Sequence, residues 1–248
     1  MVLLPVHFAI KAQATAKESV DKADVQITAA IAASQAVEIL GFEALKASDT
    51  SVLKNSAHLV AMGDTTTPFV NEELNRKEVW QVEFQDVALE LKEPAGLDPE
   101  FRTRDFQMYM DAYTGIVLKV TSRAGNYDST VIRKPSVQQA QESVESTSER
   151  FLGLPQQQPA VSFRDALKLV KGCPFRAMEI DAVYVIASHP WKAPEGRPVW
   201  SIHLYGVDLL FPSPRKDDEP IYQLNHMRTV VDAMTGELLY GTNSPQAK

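Results

Sequence analysis

Val79-Trp80-Gln81-Val82-Glu83-Phe84 alternates apolar and polar residues, which places Trp80, Val82 and Phe84 on one face of a strand. Val199-Trp200-Ser201-Ile202-His203-Leu204 repeats the pattern 120 residues later. In both copies the alternation then slips by one position. Val87, Leu89 and Leu91 carry the apolar face in the first copy, and Val207, Leu209 and Phe211 carry it in the second. A period of two that changes parity at the same place twice predicts a shared β-bulge or bend, and Gly206 at the second slip suits one.

Two further stations follow the same order. Asp111-Ala112-Tyr113-Thr114-Gly115 is answered by Asp232-Ala233-Met234-Thr235-Gly236, 31 and 32 residues after the respective tryptophans. Upstream, Ala36-Val37-Glu38-Ile39-Leu40 and Ala166-Leu167-Lys168-Leu169-Val170 share helical apolar spacing near Gly41 and Gly172. The chain therefore reads as an internal repeat. The first copy predicts a helix over about 29–46 and strands near 57–62, 79–91, 105–112 and 116–121. The second predicts a helix over about 162–171 and strands near 180–187, 199–211, 222–232 and 237–241. Between them, Val137, Ala140, Val144 and Phe151 predict a helix over 136–152 with Ser136 as N-cap, ended by the Pro155–Pro159 stretch.

The Asp-Ala-x-Thr-Gly segments suit hairpin turns better than catalysis or metal binding. Asp111 and Asp232 accept from backbone N–H groups inside the turn, and Gly115 and Gly236 supply the positive φ where the next strand begins. Trp80 and Trp200 are expected to be equivalent core residues. A tryptophan-led strand, this hairpin and the preceding helix together resemble the PepSY domain, a family named from the propeptides of certain secreted peptidases and a spore-germination protein. The resemblance covers roughly 30–121 and 160–242. It implies a helix packed on an antiparallel sheet, a place outside the cytoplasm, and inhibitory or partner-binding roles. Two such units in tandem are similar in architecture to secreted β-lactamase-inhibitory proteins.

The expected fold is thus α+β: two tandem modules, each an antiparallel sheet of about four strands with a helix packed on one face. Residues 16–124 form the first, 125–159 a linker whose helix is either a spacer or the opening helix of the second module, and 160–243 the second.

Composition narrows the function. Of 248 residues 44% are hydrophobic and 23% charged, enough for a packed core in each copy. The net charge of −7 and the lack of any Lys/Arg run argue against nucleic acid as a partner. No stretch approaches the roughly 18 apolar residues of a membrane span. Residues 1–14 combine an apolar run with Ala12-Gln13-Ala14 and fit either the remnant of a signal peptide or a frayed arm. Cys173 is the single cysteine, expected to be a buried structural thiol. Of the five histidines, His203 and His226 fall in predicted strands that could be neighbours, with Asp208 or Asp232 as nearby carboxylates. A zinc site wants further ligands, so no metal and no cofactor is expected. Motifs for phosphate loops, nucleophile elbows and zinc hydrolases are missing, so no catalytic residues are assigned.

Each tryptophan strand follows a loop with a proline-aromatic pair, Pro68-Phe69 and Pro190-Trp191. A large ring on a proline-stiffened loop loses little entropy on docking, and the other reading is that it folds over the edge of its own sheet. Phe69, Pro190, Trp191 and Lys192 are the expected partner-binding residues. The sequence predicts a non-catalytic binding or inhibitory module of bacterial, periplasmic or secreted origin that recognises a protein. Small-ligand binding between sheet and helix or between modules, an enzyme of unrecognised type, and a cytoplasmic location are the alternatives.

Overall fold

The computed structural model describes residues 26–43, 45–46, 51–55, 78–88, 103–125, 132, 149–170, 177–211 and 221–245. Within them the chain runs α1 (Ala29–Leu40), β1 (Ser51–Asn55), β2 (Val79–Ala88), β3 (Thr103–Asp111), β4 (Val117–Ala124) and β5 (Arg150–Gly153). It continues through α2 (Phe163–Leu169), β6 (Ala177–His189), β7 (Ala193–Phe211), β8 (Ile221–Asp232) and β9 (Leu238–Pro245).

The expectation of two modules with separate four-stranded sheets is overturned. All nine strands form one antiparallel sheet in the order β1-β2-β3-β4-β6-β7-β8-β9, with β5 paired to β6, and the described residues hold just two short helices. The physical reason lies in strand edges. A four-stranded unit leaves rows of unpaired N–H and C=O groups. Here β4 and β6 satisfy one another, Lys119–Arg123 pairing with Glu179–Val183.

The repeat itself is visible bond by bond. The indole N–H of Trp80 donates to the Ile27 carbonyl at 3.1 Å, and that of Trp200 to the Val161 carbonyl at 3.1 Å. Ile27 N–H donates to the Ala112 carbonyl, and Val161 N–H to the Ala233 carbonyl, both at 2.9 Å. Asp111 Oδ1 accepts from the N–H groups of Tyr113 and Thr114, and Asp232 Oδ1 from those of Met234 and Thr235. Gly115 and Gly236 have φ of 71° and 76°. Bulges interrupt β2 between Phe84 and Val87 and β7 between Leu204 and Val207, with Asp86 (φ 52°) and Gly206 (φ 63°) at matching positions.

The two turn glycines differ in surroundings. A Cβ at Gly115 would lie 2.4 Å from Gln35 Oε1, whereas at Gly236 its nearest neighbour is Val161 at 3.6 Å. Alanine at Gly236 is therefore expected to cost about 1–2 kcal/mol from the left-handed backbone alone. Alanine at Gly115 should cost more, unless the flexible Gln35 amide swings clear. Urea melts of the two variants make the comparison.

One core beneath the helices joins both repeats. Ala36, Leu40, Phe84, Phe106 and Met108 pack in the same cluster as Phe163, Leu167, Ile180, Trp200 and Ile202. Phe163 bridges the halves, edge-on to Phe106 at 6.3 Å and to Trp200 at 5.8 Å between centroids. Trp200 is fully buried, while Trp80 is partly exposed at the margin of the cluster, so equal register does not mean equal burial. Arg104, in step with Phe106, is also buried on this side. Its guanidinium donates to Ser122 Oγ at 2.8 Å and reaches across to the carbonyls of Ala177 at 2.7 Å and Met178 at 3.4 Å. Burial lowers its pKa to about 9, against the opposing pull of Glu179, so it remains a cation at neutral pH.

Local departures have local causes. The first helix stops at Leu40 because Gly41 turns left-handed (φ 73°) and its N–H donates to the Val37 carbonyl. Ser162 caps α2, accepting from Asp165 N–H at 3.1 Å. The predicted helix over 136–152 is corrected at its end, since Arg150–Gly153 is strand β5; residues 136–148 lie outside the described residues, as do 57–62.

Candidate functional site

The face of the sheet opposite the helices carries a row of polar residues beside a second apolar cluster that includes Val183, Val199 and Val230. Glu83, Gln107, Thr121, Asp181, His203 and Arg228 are successive cross-strand partners from β2 to β8. The central members are buried, and they are paired. Lys119 meets Asp181 at 2.9 Å, and Glu149 takes two hydrogen bonds from Arg228 at 2.6 and 2.8 Å. Buried ions paired in this way hold strands in register; they do not form an open constellation around a substrate.

His203 and His226 do meet, with Nδ1 of the first 3.0 Å from Nε2 of the second, and Tyr205 stacks 4.8 Å from the His226 ring. Asp232 is elsewhere, in the β8–β9 turn with Arg197 at 3.1 Å, and the side chain of Asp208 lies outside the described residues. Among the described residues no three His, Cys, Asp or Glu side chains are grouped to hold a metal.

Burial, then the nearby Arg228 cation, lowers the His226 pKa from 6.5 to about 4. The unfolded chain therefore takes up this proton more readily than the folded one. The stability tied to neutral His226 is complete above about pH 6.5 and is lost as pH falls toward 4. At about 1.4 kcal/mol per pH unit the loss approaches 3 kcal/mol. Urea midpoints at pH 7 and pH 4 should draw closer together in His226→Gln than in the wild type.

The cavity at the β2 bulge, lined by Glu83, Asp105, Gln107, Thr121 and Arg123 among others, holds about 100 Å³. Small-molecule pockets generally offer roughly 300–1,000 Å³.

The other feature projects from the sheet. Strand β8 ends its pairing at Asp232 opposite Val199, yet β7 begins six residues earlier and pairs back onto Ala187 and His189. On the far side of β6, Arg150 and Phe151 of β5 pair with Ser188 and Ala187. The result is a three-stranded lobe formed by 150–153, 186–189 and 193–198. It is fixed to the polar face near β5 by the Glu149–Arg228 pair and by Phe151 beside the Arg228 guanidinium at 5.9 Å, and toward its tip by the His189 ring, tilted against Tyr240 at 4.6 Å. At the tip, Lys192 N–H donates to the His189 carbonyl, and Trp191 N–H to the His189 Nδ1.

Trp191 is 87% exposed and Leu152, on β5, is 53% exposed, the two highest values among the large apolar side chains described. Pro190 and Lys192 are exposed beside Trp191. The ring does not fold back over the sheet. Phe69, Cys173 and residues 1–14 lie outside the described residues. Trp191 is legible in the sequence through the proline beside it. Neither β5 nor the Glu149–Arg228 pair is, because two residues 79 positions apart carry no spacing signal.

No protein-family model, curated protein or solved structure matches this chain. No helix among the described residues is long and apolar enough to cross a membrane.

Proposed function

We propose that the protein is a non-catalytic binding module, working outside the cytoplasm, that recognises a protein partner through the β5–β6–β7 lobe. The observation that carries this reading is the exposure of Trp191. An indole held almost wholly in water at the end of a braced hairpin has no role in its own core. Its large, rigid surface is the kind that dominates protein interfaces. Pro190 stiffens the tip, and Lys192 adds a cation at its rim. The resemblance to the PepSY domain, with its inhibitory and partner-binding members, supports the same reading, as does the placing outside the cytoplasm that this resemblance implies.

Replacing Trp191 by alanine is expected to leave folding stability within about 0.5 kcal/mol, as at other surface sites. Chemical denaturation checks this first. A photo-crosslinking residue at position 192 then tests the function. Irradiated in an extract of the native source, it should give discrete adducts that vanish when Trp191 is also alanine. A melting temperature lowered by several degrees in Trp191→Ala, with adducts unchanged, would make the ring structural.

A further inference from the structure

We infer that the lobe takes an acidic protein, one with an apolar slot for Trp191 rimmed by carboxylates that meet Arg150 and Lys192. This rests on the partner-binding reading above and adds the partner's chemistry. Charge is unevenly placed along the chain. The lobe, taken as 150–153 and 186–198, holds Arg150, Lys192 and Arg197 against the single acid Glu195. It is therefore +2 on a chain of −7, which leaves −9 for the remainder. Arg197 is already engaged by Asp232 at 3.1 Å and Glu237 at 3.6 Å. Arg150 and Lys192 are exposed and have no ion pair among the described residues. Interfacial cations of this kind select partners of opposite potential and steer their approach.

Shape agrees with charge. Exposure alternates along β5, so Arg150 and Leu152 face outward together. The Leu152 side chain lies across Gly196 of β7, where an added Cβ would come within 2.4 Å of Leu152 Cδ1 and 3.3 Å of Ile186 Cγ2. The glycine lets Leu152 lie flat. Two apolar groups thus stand exposed on the lobe, Trp191 at its tip and Leu152 on its flank, with Lys192 next to the first in sequence and Arg150 two residues from the second. Leu152 lies at the register shift between the Phe151–Ala187 and Gly153–Ile186 pairs, several residues back from Trp191 and on the order of 10 Å along the strand. A planar lipid interface that accepted the indole would meet the tip first, whereas a protein surface can cover tip and flank at once.

The probe is a phage-displayed library of random dodecapeptides, selected on the full chain and counter-selected on Trp191→Ala. Peptides that need Trp191 should carry a net negative charge, with Asp or Glu flanking apolar residues. Measured one by one, they should bind about 30-fold more weakly to Trp191→Ala, the ratio of a strong hot spot. Against Arg150→Glu/Lys192→Glu they should bind at least tenfold more weakly, and added salt should weaken binding to the wild type. Trp191-dependent peptides that are neutral or basic, or that ignore the charge reversal, overturn the acidic partner and leave the binding reading standing. A library with no Trp191-dependent peptide overturns both. Blue-shifted indole emission on phosphatidylglycerol vesicles would in that event assign the tip to lipid.

Discussion

Alanine at Trp200 is expected to lower the free energy of unfolding by about 3–5 kcal/mol, the usual cost of deleting a large core aromatic. The ring is fully buried between Tyr184 at 5.2 Å and Phe163 at 5.8 Å, so its removal leaves a cavity in the core of the second repeat. The Val161 carbonyl also loses its indole donor. Trp80 makes the matching bond to Ile27 but stands partly in water, so Trp80→Ala should cost clearly less, about 2 kcal/mol on the area removed. Urea unfolding of both variants measures the difference. Equal losses would mean that the edge of the sheet is packed as tightly as its centre.

The second large effect belongs to Arg228. Changing it to methionine should destabilise by about 3–5 kcal/mol, because Glu149 is left as a buried charge without its counterion. Removing both charges in Arg228→Met/Glu149→Leu should recover most of that loss, since an apolar pair no longer carries the desolvation cost. A double-mutant cycle isolates the coupling. Additive losses in the cycle would show that the two side chains act independently. The cycle also probes the lobe, whose attachment runs through this pair. Amide exchange in 150–153 should quicken in the single variant.

Much of the strand content was legible because its signals are local. The alternation at Val79–Phe84 and Val199–Leu204, the parity slips after them and the Asp-to-Gly turns each concern neighbours along the chain. The structure places a strand, a bulge and a turn at those positions in both copies. The union of the two sheets was not legible. Pairing of β4 with β6 depends on which strand edges meet in space, and nothing in Lys119–Arg123 or Glu179–Val183 marks them as partners. The same holds for Arg104, which reads as an ordinary charged residue in an alternating strand. Only the fold shows it bound to carbonyls at 177 and 178. At the candidate site, Trp191 stood out by its type and its proline. The strand beside it hid inside a stretch whose apolar spacing suited a helix, with Phe151 as one of the helical positions. Tertiary pairing with Ser188 and Ala187 prevailed over that local preference.

The joint between β4 and β6 sets how the molecule comes apart. Cutting the chain into its two repeats would strip backbone partners from both strands, break the ion pair between Lys119 and Asp181, and empty the carbonyls that Arg104 serves. Each fragment would then present a raw strand margin beside a half-uncovered core, the template on which foreign strands add and chains aggregate. The duplicated unit has in this sense become indivisible. Melting is expected as one cooperative event, and evolutionary exchange of a single repeat would have to replace both sides of the joint together.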